Sequence, residues 1–234
     1  MSAIALIVGA GAGNSASFAR ALAAEGYRVV LAARNTDKLA PLCDEIGALA
    51  IQCDATSVES VDNLFREMQD SIGIAEVVMY NASAYTAGSI TELDPDLVRE
   101  SLMLTAYAAF LVAKQAAIGM HQLGRGALFF TGATASVKGF PNFAPFAMGK
   151  FALRGLAQSL ARELGPQNVH VAHFIIDGGI ASPGRTLDDA TSDTNPDDAE
   201  LEPDAIAQTY MAVLKQHRSA WTHEIDLRPW KENF

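Results

Sequence analysis

Cysteine is nearly absent from the 234-residue chain. Cys43 and Cys53 are the only two, too few for a disulfide framework and without metal-ligand spacing, so a reducing compartment and no metal site are expected. Positive charge is also short: 17 Lys and Arg stand against 27 Asp and Glu, a net charge of −10. That balance excludes nucleic acid as a general partner, because phosphate binding needs clustered cations. Long hydrophobic runs are missing as well. Nothing approaches the roughly 18 uninterrupted apolar residues of a membrane span. The run Ala3 to Val8 is too short for a secretion signal, and no Lys or Arg precedes Arg20. A cytoplasmic protein with no membrane partner is expected. Half the residues are apolar and 19% are charged, which excludes disorder, and an α/β chain of this length forms one domain, 1–234, with a full core.

The acidity is local. Asp188, Asp189, Asp193, Asp197, Asp198, Glu200, Glu202 and Asp204 lie between Arg185 and Asp204 against a single arginine. Residues 182–203 are long for a connection and rich in Asp, Ser, Thr and Pro, the pattern of a mobile acidic loop that closes over a substrate. Elsewhere, apolar runs of strand length at 3–8, 28–33, 48–52, 75–80, 126–131, 169–176 and 223–227 alternate with helical stretches. Val58, Val61, Leu64, Phe65, Met68 and Ile72 recur every three or four residues, and Thr56 with Glu59 has capping-box spacing at the start of that helix. Runs such as Val29-Val30-Leu31-Ala32 are apolar on both faces, as strands covered by helices on both sides must be. The pattern specifies an α/β fold, a doubly wound parallel sheet of about seven strands in a three-layer αβα sandwich.

The first strand runs into Gly9-Ala10-Gly11-Ala12-Gly13-Asn14-Ser15 and then an Ala-rich helix. Strand, glycine turn and helix N-terminus together place backbone N–H groups and a positive dipole where a pyrophosphate docks. Gly9, Gly13, Asn14 and Ser15 are the candidate contacts, although the turn lacks the last glycine of GxGxxG. The second strand ends at Arg34 with no acid beside it, which suits a ribose 2′-phosphate and favours NADP(H) over NAD(H); the other reading is an arginine closing a loop.

From here the chain resembles the short-chain dehydrogenase/reductase family over nearly its whole length. Gly9, Gly13 and Ser15 stand where that family has Gly-x-x-x-Gly-x-Gly, with Ser15 in place of the third glycine. Asp54 matches the family aspartate that meets the adenine ring, Asn81-Ala82-Ser83 resembles Asn-Ala-Gly, and Phe140-Pro141 through Lys150 matches the approach to Tyr-x-x-x-Lys. The resemblance implies a Rossmann-like fold, a dinucleotide with a small-molecule substrate, and a homodimer or homotetramer built on long helices near 97–119 and 143–164. Ser182 matches a hydroxyl residue that touches the cofactor. Asp54 and Asn81 also have plainer readings, as a turn residue and as a partner for backbone groups.

The family chemistry implied by the resemblance uses Tyr, Lys, Ser and Asn, and this chain retains only Lys150. Phe146, Ala133 and Thr105 occupy the other three positions. Phenylalanine neither donates nor accepts a proton. Asp177 is a candidate donor if burial raises its pKa, or else caps the turn after its strand. Tyr85 and Tyr107 are candidate phenols, or else half-buried packing aromatics. His170 and His173, three apart on a strand, face opposite ways and form no metal pair, while Glu224 and Asp226 read as ordinary solvated charges on an edge strand. Two functions follow from this reading. One is hydride transfer between NADP(H) and a small carbonyl, enone or imine-like substrate by a non-standard proton pathway. The other is a catalytically silent NADP(H)-binding regulatory or partner subunit.

Overall fold

The computed structural model describes residues 2–181 and 198–232. Its strands are β1 (Ile4–Val8), β2 (Arg28–Ala33), β3 (Leu49–Gln52), β4 (Val77–Tyr80), β5 (Gly126–Thr131), β6 (Val169–Ile176) and β7 (Glu224–Leu227). They form one sheet in the order β3-β2-β1-β4-β5-β6-β7, with every neighbouring pair parallel. The helices are α1 (Asn14–Ala24), α2 (Ala40–Ile46), α3 (Val58–Ser71), α4 (Pro95–Leu102), α5 (Ala108–Leu123), α6 (Ala144–Leu164) and α7 (Pro203–Leu214).

Strand side chains alternate between two cores, as the period of two requires. Leu6, Val30, Val78, Leu128 and Val171 pack on one face with α3, α5 and α6. Ala5, Ile7, Leu31, Met79, Phe129 and Phe174 pack on the other with α1, α2 and α7. The result is the doubly wound three-layer sandwich. An aromatic cluster anchors its second face: Tyr210 stacks on Phe174 with centroids 3.8 Å apart and lies 5.0 Å from Phe18. The strand order reverses between β1 and β4, which opens a crevice beyond their carboxyl ends.

Two local expectations are corrected. The helix after Asp54 is capped by Ser57, whose extended backbone lets its Oγ accept from the Ser60 N–H at 3.2 Å, whereas the Thr56 hydroxyl is drawn to Asp54 at 2.7 Å. The helix expected near 97–119 is not continuous α-helix, because a π-helical turn, Met103–Tyr107, separates α4 from α5. The Tyr80 hydroxyl, on a fully buried side chain, donates to the Leu104 carbonyl in that turn. The whole stretch Pro95–Leu123 is long and apolar enough to cross a membrane, with a window of mean hydropathy 1.4. Here Ala109, Val112, Ala113, Ala116 and Met120 are buried against the sheet. Of the expected 182–203 loop, residues 182–197 lie outside the described residues; Leu201 bridges to Ile180, and Pro203 already opens α7.

Candidate functional site

The glycine turn is shaped by one close approach. Gly9 has φ +81°, and a Cβ there would come within 2.5 Å of the Ala82 backbone, so only glycine lets the ends of β1 and β4 meet. Its N–H and that of Ala10 both donate to the Ala32 carbonyl, tying the turn to β2. Beyond it the space is open, since a Cβ on Gly11 or Gly13 would meet nothing within 4 Å. Helix α1 starts at Gly13 with no side-chain cap and no acid in its first turn. Its leading N–H groups and positive dipole end therefore face that space uncompensated, a cradle that fits a pyrophosphate. Ser15 and Asn14 are buried; the Ser15 Oγ accepts from the Gly11 N–H at 2.9 Å and stiffens the turn from within.

Around this cradle lie the other expected contacts. Arg34 is exposed at the end of β2, and among the described residues its guanidinium makes no ion pair within 4 Å. Asp54, also exposed, accepts from the Thr56 N–H at 3.0 Å and the Thr56 hydroxyl at 2.7 Å. These bonds hold its carboxyl below the ordinary range, with a smaller contribution from the Arg34 charge. Asn81 follows β4; its side-chain amide donates to the Gly9 carbonyl at 3.4 Å, a bond across the crevice. Ser182 lies outside the described residues.

Lys150 comes off the first half of α6 and is 3% exposed, its Nζ donating to the Thr131 carbonyl at the end of β5, 2.8 Å away. Burial lowers its pKa to about 8. Phe146, one turn earlier, lays its ring 5.8 Å from that nitrogen, a cation–π contact where a phenol would have been a proton donor. Tyr85 meets Phe146 edge-on at 5.1 Å and Phe143 at 5.4 Å, and is 71% exposed. It thus flanks the Phe146–Lys150 corner as an aromatic neighbour. Thr105 sits in the π-helical turn, fully buried, with its Oγ1 accepting from the Ala84 N–H at 3.2 Å. Tyr107 is two residues on, which places it on the opposite side of the helix; it is 40% exposed and pairs with Phe110 at 6.2 Å.

Asp177, after β6, is 7% exposed and fully engaged. Thr134 donates its hydroxyl to one carboxylate oxygen, and Arg228 stands 3.2 Å from the other. The Asp177 N–H donates to the Leu227 carbonyl, so its backbone and side chain together fasten β6 to the segment after β7. Ser136 is fully buried and its Oγ accepts from the Ala133 N–H at 3.1 Å, shaping the turn after β5.

Glu224 corrects an expectation directly, for it is no solvated edge charge. Arg154 grips both its oxygens at 2.7 and 2.6 Å, and His173, its partner in the β6–β7 register, sets Nδ1 3.0 Å from Oε2. These partners hold the Glu224 carboxyl low, Arg154 foremost. The spacing of Lys150 and Arg154, four apart on one helix face, was the available signal. Tyr210 went unnoticed too: its hydroxyl lies 2.9 Å from the Thr131 Oγ1, and burial raises its pKa to about 12. Among the described residues no group of three or more His, Cys, Asp or Glu could hold a metal ion.

Comparison with known proteins agrees with this fold. A family model described as short chain dehydrogenase matches residues 3–191. An uncharacterized oxidoreductase of Staphylococcus aureus (strain MRSA252) is 29% identical over 233 residues, covering 97% of this chain and 96% of the relative. The crystal structure of a short-chain dehydrogenase from Rhodopseudomonas palustris superposes with TM-score 0.82 at 35% identity, covering 97% of this chain and 99% of that one. An alcohol dehydrogenase from Thermococcus sibiricus, solved with 5-hydroxy-NADP, gives TM-score 0.86 at 24% identity over 100% and 99% of the two chains.

Proposed function

The chain belongs to the short chain dehydrogenase family, and from that premise we propose that it is an oxidoreductase moving a hydride between NADP(H) and a small carbonyl, enone or imine-like substrate. One observation carries the reading: the uncapped start of α1 and the buried Lys150 lie at the same carboxyl edge of the sheet. The nicotinamide, when bound, accepts or gives the hydride. The leading N–H groups of α1 and the glycine turn hold the pyrophosphate. Arg34, in no ion pair within 4 Å among the described residues, meets the 2′-phosphate, which favours NADP(H) over NAD(H); a solved structure of the same fold with a bound NADP derivative supports the same choice. Asp54 and Asn81 border the adenine and nicotinamide ends, and Lys150 reaches the ribose.

Lys150 is also the proposed proton donor. With Phe146 at the phenol position, Ala133 at the serine position, Asp177 committed to Thr134 and Arg228, and the Tyr85 phenol packed edge-on against Phe146 and largely in solvent, it is the buried ionisable group left in the catalytic corner. An ammonium whose pKa is near 8 gives up a proton far more readily than a solvated lysine. An imine-like substrate that already carries positive charge asks least of such a donor. The proposal extends to a homo-oligomer, supported by the exposed apolar side chains Phe110 and Ile118 on α5 and Met148 and Phe151 on α6, and to a reducing, cytoplasmic setting, supported by the two free cysteines. The same exposed side chains, with Phe146 in place of the phenol, support the second reading of a silent NADP(H)-binding partner subunit.

The test is a fluorescence titration with NADPH and NADH, followed by NADPH oxidation across a carbonyl and imine panel. NADPH is expected to bind more tightly than NADH, and Arg34→Ala to weaken NADPH by at least about tenfold, the loss of a charge-assisted pair. Absence of binding to either cofactor overturns the proposal. Binding without turnover leaves the silent subunit.

A further inference from the structure

The buried polar groups do not end at Lys150. Its Nζ donates to the Thr131 carbonyl, and the next residue, Gly132, lacks a side chain because a Cβ there would collide with Nε2 and Cε1 of His173. The imidazole fills the space the glycine leaves, beside the peptide that receives the lysine. His173 is fully buried on β6, opposite Glu224 of β7, and Arg154 of α6 holds both Glu224 oxygens. Lys150, His173, Glu224 and Arg154 form a line of ionisable groups from the catalytic corner to the sheet edge. They come from α6, β6 and β7; β5 contributes only the Thr131 carbonyl to the lysine, and the π-helical turn the uncharged Thr105.

Donor and acceptor roles in this line are fixed by charge. Arg154 keeps Glu224 ionised, and an ionised carboxylate only accepts, so His173 Nδ1 must carry the proton it shares with Oε2. Burial lowers the His173 pKa to about 4, so the ring is neutral and its Nε2 presents a bare lone pair. That nitrogen is buried and has no hydrogen-bond partner among the described residues. Of the two cations whose charge acts on the ring, Lys150 acts more strongly than Arg154 behind Glu224.

We infer that His173, held in one tautomer by Glu224, is the positioning residue of Lys150. Its Nε2 accepts one Nζ proton through one bridging water, while the Thr131 carbonyl accepts a second. The ammonium has three protons, so fixing two directs the third into the crevice. This rests on the reading of Lys150 as the group that meets the substrate. The proton leaving Nζ goes to the reduced substrate, and the neutral amine is reprotonated from solvent after product release; His173 changes its charge at no step.

The experiment is an NMR titration of the protein labelled with 13Cε-lysine, the Lys150 signal being assigned by Lys150→Met. Its readout needs no substrate. His173→Phe keeps an aromatic ring and removes the lone pair, so the acid dissociation constant of Lys150 is expected to rise roughly tenfold, the loss of one hydrogen bond to a charged group. His173→Gln, which restores an acceptor, should return most of it. Glu224→Gln should act in the direction of His173→Phe: Arg154 takes the amide oxygen, the amide N–H turns to Nδ1, and the ring is driven to the tautomer that aims an N–H at the cation. If His173→Phe does not fold, the pair His173→Gln and Glu224→Gln decides. A Lys150 titration that none of these variants moves overturns the inference. A titration that moves as expected, with no turnover on any panel member, sustains it and counts against the catalytic reading alone.

Discussion

Replacing Lys150 with methionine is expected to stabilise the protein at pH 7 while removing its activity. The ammonium is fully buried with one hydrogen bond, to the Thr131 carbonyl, and its pKa falls from 10.5 to about 8. At 1.36 kcal/mol for each tenfold change in acidity, keeping it charged costs the fold about 3 kcal/mol. Methionine has a similar length, carries no charge and leaves the Thr131 carbonyl without this donor, a loss of about 1 kcal/mol. The net gain is about 2 kcal/mol, or roughly 4–8 °C in melting temperature for a chain of this size. The pH dependence separates this from a simple packing effect. The folded lysine loses its proton near pH 8 and the unfolded one near 10.5, so between these values the unfolded chain binds more protons and stability must climb with pH. Wild type should show that climb and Lys150→Met should lack it. Urea unfolding at several pH values between 7 and 10.5 measures both quantities. A variant less stable than wild type at pH 7, or two parallel pH profiles, would refute the reasoning.

Phe146→Tyr returns a phenol beside Lys150 and is expected to raise turnover on any substrate of the panel by about 10²–10⁴, the usual worth of a positioned acid; no change in NADPH oxidation would show that this side chain does not reach the reacting atoms. Gly9→Ala forces φ +81° on a residue with a Cβ and drives it into Ala82, so it should cost at least about 2 kcal/mol in urea unfolding and weaken NADPH binding. Phe129→Ala opens a void among Phe18, Phe174 and Tyr210, with an expected loss of about 3–5 kcal/mol visible as a lower urea midpoint.

The sheet was legible because its code is short-range and redundant. Runs such as Val29-Val30-Leu31-Ala32 can be buried on both faces only in a covered parallel strand, and the strand limits 28–33, 126–131 and 169–176 agree residue for residue with β2, β5 and β6. The glycine turn was legible for a related reason, since a tight βα connection needs backbone freedom that few residues supply. What stayed hidden depends on partners distant in sequence. Glu224 looked solvated because nothing near it in the chain announces Arg154, 70 residues earlier, or His173 across the ladder. Asp177 could be read as a proton donor or as a cap, and its actual partners, Thr134 and Arg228, lie on two other segments. The π-helical turn was hidden because periodicity is read with a fixed period, and one extra residue leaves too faint a trace in an Ala-rich stretch.

That extra residue sets the phase of everything after it. Each helical position turns the chain by about 100°, and the wider turn takes up one surplus residue between Met103 and Tyr107, so the inward positions of α5 fall one residue later in sequence than the period of α4 would put them. Ser101 before it and Val112 after it are both buried. Point substitutions within the turn leave the offset intact. A one-residue deletion would remove it, letting one regular helix run from α4 into α5 with both buried faces kept in phase. The widened turn acts as a gear between two helices, and Thr105 sits on its tooth.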